Sequence, residues 1–248
     1  MAMCILVFLT LLILPTSHSS SDELYIDKSA KIPQSDLDLL EFPLNLEYFE
    51  AEFFLYGALG YGLDKAAPKL AGGGPTPLGA KKANLDPFTR DVVLAIKNTV
   101  KGFPRPLLNL SSESFAKTLD TAFGKPLNPP FDPYSSSLNY LIASYLIPYV
   151  GLTGYVGANE KLESPVSRRL VAGLLGLTDE GLIVPKSDGA EGKIAGNVLA
   201  GDQDSVAYAR TPEEILRIVY GSGDEGVPGG FYLNGGDGRI AKSHLKSA

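Results

Sequence analysis

Two histidines and one cysteine in 248 residues leave this chain short of the side chains that most often hold transition metals or act as nucleophiles. Cys4 lies in an apolar run near the N-terminus, so a chain processed beyond that run has no disulfide, thiolate ligand or cysteine nucleophile. His18 follows the same run and His244 lies near the C-terminus; no Glu-x-x-His or His-x-x-x-His occurs. A bundle-core site built on imidazole is therefore excluded unless the tail folds inward. There is no Gly-x-Ser-x-Gly elbow for a serine hydrolase. There is also no long Lys/Arg run, and the net charge is −6, which argues against a nucleic-acid partner. No repeat at a solenoid period is present.

Residues 4–14, CILVFLTLLIL, are uncharged and apolar, and Pro15 and TSHSSS follow. This pattern predicts a signal peptide over 1–20, cleaved between Ser17 and Ser21, and hence a secreted, extracellular product in the apoplast or cell wall. The run lacks a preceding Lys or Arg and is short for a membrane span; an uncleaved anchor is the alternative. Asn109-Leu110-Ser111 is a glycosylation sequon, consistent with secretion.

What the chain does have is helix-forming sequence broken by Gly/Pro loops. A first helix is expected from a cap at Ser35 or Asp36 to Gly60–Gly62, with Pro43 kinking it or starting it late. A second is expected over Pro87–Val100, and a third, capped by Ser111 or Ser112, runs to Phe123 with Gly124 as its stop. Residues 135–162 carry no charge from Ser135 to Asn159. They read as a buried bundle helix, with a single membrane span at 138–158 as the alternative. Ser164-Pro165 opens another helix to about Leu175, and Thr211-Pro212-Glu213-Glu214 opens a short one to Tyr220. The fold class is all-α: a helical domain over 35–177 and an irregular Gly/Pro-rich extension over 178–248.

The candidate site lies in NLEYFEAEFF, residues 45–54. At 100° per residue Glu47 shares an arc with Leu40, Ala51, Phe54 and Ala58, and Glu50 lies beside it. Glu41, Asn45 and Glu52 fall on a separate arc that reads as the wet face. Carboxylates on an apolar face are expensive unless paired, protonated or bound to a cation. Glu47 and Glu50 are the candidate metal ligands; protonation, or pairing with a basic or tyrosine side chain, is the favoured alternative. Gly221-Ser-Gly223-Asp-Glu-Gly226 lacks the strand-before, helix-after context of a dinucleotide loop. GGGPTPLGAKK lacks the Lys-Ser/Thr of a phosphate loop, and Asp202 and Asp204 form only half of a calcium loop.

The segments LLEFPLNLEYFEAEFFLYGALGYGL, GGGPTPLGAKKANLDP, KGFPRPLLNLS, PPFDPYSSSLNYLIASYLIPYVGLTGYVGAN, RRLVAGLLG and RTPEEILRIVYGSG resemble the plant desiccation-related protein family, which carries a ferritin-like domain. The similarity runs from Asp36 to Lys242. It implies a secreted protein with a four-helix bundle and a role in drying stress. Di-iron bundles use a Glu from each of two helices and a Glu-x-x-His from each of the other two; Glu47 matches the first-helix ligand. The resemblance also implies a Glu-x-x-His before the Ala-Ile-Lys segment, but here Val93 runs straight into Leu94. A further helix bearing Glu and His is missing between Leu177 and Thr178. The bundle thus reads as incomplete, with a shortened second helix and no fourth. The expected function is a non-enzymatic protective role with the metal site lost and no cofactor. The alternative is an iron- or manganese-binding protein using Glu47 and Glu50. A homodimer, or another partner that completes the bundle, is expected to cover exposed apolar faces of the first and third helices. Association with the cell wall is a further expectation.

Overall fold

The computed structural model describes residues 32–94, 103–176 and 208–246. Among these residues there is no sheet, only isolated bridges at Leu78–Asn109, Leu108–Tyr232 and Gly229–Tyr232. The architecture is all-α, as expected.

The first helical segment is two helices. α1 spans Gln34–Glu41 and α2 spans Leu44–Leu59. Pro43 separates them: its φ of −59° suits a helix start, where its missing N–H costs nothing. α2 stops at Gly60, whose φ of +82° favours glycine and whose N–H reaches Tyr56 O at 2.7 Å. Neither Ser35 nor Asp36 caps α1. Asp36 is fully buried and accepts from Glu163 N (2.8 Å) and Ser164 N (2.9 Å), tying α1 to the start of a distant helix.

Two short turns follow, α3 (Leu63–Ala66) and a 3₁₀ turn (Pro68–Ala71), within a stretch the sequence reads as loop. α4 covers Pro87–Leu94; the expected continuation to Val100 lies outside the described residues. α5 is Ser112–Phe123, with the Ser111 hydroxyl accepting from Ser114 N and Gly124 at φ +67°, as anticipated. α6 is Ser137–Asn159, α7 Pro165–Gly176 and α8 Pro212–Tyr220. α8 carries a full capping box between Thr211 and Glu214. A last helix, α9 (Gly238–His244), was not expected; Asp237 caps it. The Leu177–Thr178 junction lies outside the described residues.

α2 is the axis of the molecule, packed by α4 and α6, while α6 also packs on α7 and α8. Every residue from Asn45 to Phe54 is buried. Two expectations therefore fail. α2 has no wet arc, since Asn45 and Glu52 are buried, and it exposes no apolar face. α6 does expose Leu138 and Ile142.

Aromatic rings dominate the core. Phe53 stacks on Tyr140 at 4.5 Å, and Phe231 meets Phe49 and Phe115 edge-on at 4.7 and 5.0 Å. Such pairs add about 0.5–1.5 kcal/mol each beyond burial. Tyr140 also donates to Phe53 O at 2.9 Å, so one residue joins α6 to α2 by both ring and hydroxyl. α6 is long and apolar enough to cross a membrane, yet half of its most apolar window is buried within the protein.

The C-terminal stretch is irregular in backbone but structural in role. Phe231 and Tyr232 sit in the core, and the Tyr232 hydroxyl donates to Asn45 O at 2.8 Å. Gly157 and Gly154 on α6 make room for the segment entering α8. A Cβ at Gly157 would strike the Arg210 backbone, and one at Gly154 would lie 3.3 Å from Ile215.

Candidate functional site

α2 and α6 run antiparallel. Their pairing is Gly57 and Phe53 with Tyr140, Glu50 with Gly151, and Glu47 with Tyr155. Glu47 and Glu50, one helical turn apart, both turn toward α6. Glu47 is 8% exposed and Glu50 2%.

The Tyr155 hydroxyl donates to Glu47 Oε1 at a long 3.4 Å. Among the described residues Glu50 Oε2 is buried without a hydrogen-bond partner. Burial pushes the Glu47 carboxyl up to about 7, against the opposing effect of the Tyr155 hydrogen bond. Burial raises Glu50 well above the ordinary range, and the neighbouring Glu47 charge adds to this. Tyr155 is also pushed up, first by burial and then by the two glutamates. The pocket is thus a pair of sunk carboxyls under one phenol, and burial favours the neutral form of both when no cation is present. Tyr155 is the tyrosine that faces Glu47.

No third His, Cys, Asp or Glu joins them among the described residues. His244 does not fold inward: it lies on α9, 3.5 Å from Glu213. The donor set does not fit a carboxylate–imidazole pair of metals. It does fit one oxygen-seeking cation, because two carboxylates, one of them with an unused buried oxygen, converge with a phenol.

Two site residues escaped the sequence reading. Glu52, assigned to the wet face, forms an ion pair with Arg105 in which neither side chain is exposed, and it accepts from Leu63 N at 3.2 Å. Burial raises its carboxyl, partly countered by Arg105. Arg105 also bonds Asp64 at 2.9 Å and the carbonyls of Gly74 and Pro75, pinning the glycine-rich loop. A buried cation eighteen residues beyond the second helix's expected start leaves no periodic signal at Glu52, whereas Tyr155 lies one helical turn from Gly151 and could have been read from the helical wheel. Asn109 is half-buried: its N–H donates to Phe231 O, and its side-chain oxygen accepts from Ser111 N.

A ferritin-like domain model matches residues 35–178, more than half of the chain. The desiccation-related protein PCC13-62 of Craterostigma plantagineum is 50% identical over 242 residues, covering 75% of this chain and 77% of that protein. The ferritin-like catalase Nec2 of Nesocodon mauritianus is 45% identical over 271 residues, covering 86% and 87%. No solved structure matches. The latter alignment uses about 213 residues here (86% of 248), leaving about 58 positions (271 − 213) without a counterpart. The former uses about 186 and leaves about 56 (242 − 186). Within the aligned stretch both relatives therefore carry more than fifty positions that this chain lacks. The expectation of a non-enzyme is overturned: a protein named as a catalase aligns with most of this chain. The chain belongs to the ferritin-like family, alongside the plant desiccation-related proteins.

Proposed function

We propose that this chain is a secreted, desiccation-related ferritin-like protein that acts on peroxide through a reduced metal centre. The two-metal site of such bundles is lost, and Glu47 and Glu50 hold a single manganese or iron ion. The observation that carries this reading is the buried, unpartnered Glu50 Oε2 beside Glu47. Such an atom costs about 1–3 kcal/mol unless something satisfies it. Peroxide as the substrate class rests on the printed name of the Nesocodon relative.

When bound, the ion would supply Lewis acidity and redox exchange with peroxide. The chain's own contributions are separable from that. Glu47 and Glu50 provide negative charge once a cation offsets the cost of their burial. The Tyr155 hydroxyl fixes Glu47 and can pass a proton at Glu47 Oε1. The apolar walls of α2 and α6 keep bulk water from both. Secretion rests on the apolar run at 4–14 and glycosylation on the sequon at Asn109.

The test is metal content and oxygen release from hydrogen peroxide by the purified secreted protein, beside Glu50→Gln. Metal-dependent oxygen release that falls at least tenfold in the variant supports the reading. Neither metal nor oxygen release above a denatured control overturns it.

A further inference from the structure

α6 carries three glycines at three-residue spacing: Gly151, Gly154 and Gly157. Glycine inside a helix is unfavourable against alanine, so each calls for a reason. Packing supplies one for two of them. A Cβ at Gly157 would collide with the backbone of Arg210, and a Cβ at Gly154 would come within 3.3 Å of Ile215 Cδ1.

Among the described residues Gly151 has no such reason. A Cβ there would lie 3.7 Å from Glu50 Oε1 and 3.9 Å from Leu46 Cδ1, at ordinary contact distance. An alanine fits, and the helix forgoes it. The space faces Glu50, a side chain 2% exposed whose other oxygen has no partner. A methyl-sized gap beside an orphaned buried carboxyl is about the size of one water molecule, roughly 30 Å³.

We propose that Gly151 holds open a binding subsite beside Glu50 for a small neutral hydroxylic molecule: water at rest, and one oxygen of hydrogen peroxide when substrate enters. Neutrality follows from the buried, apolar surroundings on α2 and α6, which leave a charged ligand without solvation. Small size follows from the walls, since Leu46 and Glu50 bound the gap. The molecule donates a hydrogen bond to Glu50 Oε1, the oxygen that faces the gap, and leaves Oε2 to the ion. This rests on the peroxide reading above for the substrate, but not for the water.

The experiment compares the full secreted protein with Gly151→Ala by three measurements. The variant should keep the metal content of the wild type and melt about 2–4 °C higher, as alanine replaces a helical glycine. A crystal structure should show an ordered water on Glu50 in the wild type and none in the variant. Oxygen release from hydrogen peroxide should drop at least tenfold. An unchanged water and oxygen release within twofold of wild type overturn the proposal. So does loss of metal in the variant, which would assign the gap to the ion. If the wild type releases no oxygen, the peroxide reading falls, and the Glu50 water alone decides the subsite.

Discussion

Arg105 and Glu52 form an ion pair with neither side chain exposed, reaching from the segment after α4 to the middle of α2. The same guanidinium holds Asp64 and two loop carbonyls, so the turns of residues 62–75 hang on one cation. Removing one member of a buried pair strands the other, at about 3–5 kcal/mol. Arg105→Met should cost at least that much in urea unfolding, and Arg105→Met with Glu52→Leu should recover part of it, since Asp64 and the loop carbonyls still lack the guanidinium. Additive losses in the double variant would mean the pair is not coupled.

Asp36 ties α1 to the start of α7. Burial pushes its carboxyl up, but hydrogen bonds from the Glu163 and Ser164 N–H groups and the charge of Arg168 outweigh this and hold it below the ordinary value. A lowered carboxyl stabilises the fold above its unfolded value near 3.8, and that stability is lost as pH falls through the folded value. Asp36→Ala should cost about 1–2 kcal/mol at pH 7, as for a lost helix cap. The deficit should shrink below pH 3.8; a constant deficit across that range would remove the carboxylate from the explanation.

The metal-free pocket should show the opposite slope. Glu47 titrates near 7 when folded and near 4.5 when unfolded, so its contribution is fully present below 4.5 and is lost as pH rises through 7. The loss for Glu47 alone is about 3 kcal/mol. Unfolding of demetallated protein from pH 4.5 to 8 should therefore show falling stability, flattened by Glu47→Gln and Glu50→Gln. Equal slopes in wild type and variants would contradict a buried, titrating pair.

At Gly157 alanine should do harm. The Arg210 N–H donates to Thr153 O at 2.9 Å and its guanidinium to Thr153 Oγ1 at 2.8 Å, leaving that backbone no room to retreat. Gly157→Ala should destabilise by about 1–3 kcal/mol, as in overpacked cores. A neutral melting shift would show that the segment before α8 can move.

Much of the helical order was legible because its signals are local. Ser111, Gly124, Thr211 and Glu214 announce ends by side-chain chemistry within four residues. Glu47 and Glu50 were legible as anomalies, charges in an apolar stretch. Glu52 was not, because the wet arc assumes a helix with one solvent face and α2 has none; its partner Arg105 lies 53 residues away. The core role of Phe231 and Tyr232 was hidden for a similar reason. Their Gly-rich surroundings signal turns, and their burial depends on contacts with α2 that no local pattern encodes. Kinship to a protein named as a catalase was illegible too, since missing imidazoles read as missing chemistry.

The most direct measurement is metal content per chain, by mass spectrometry, of the purified protein and of its Glu47→Gln/Glu50→Gln variant. The proposed pocket predicts about one manganese or iron ion per wild-type chain, with coordination drawn from the paired carboxylates, and less than about a tenth of that in the variant. A variant that keeps its metal, or a wild type that binds none, would contradict it.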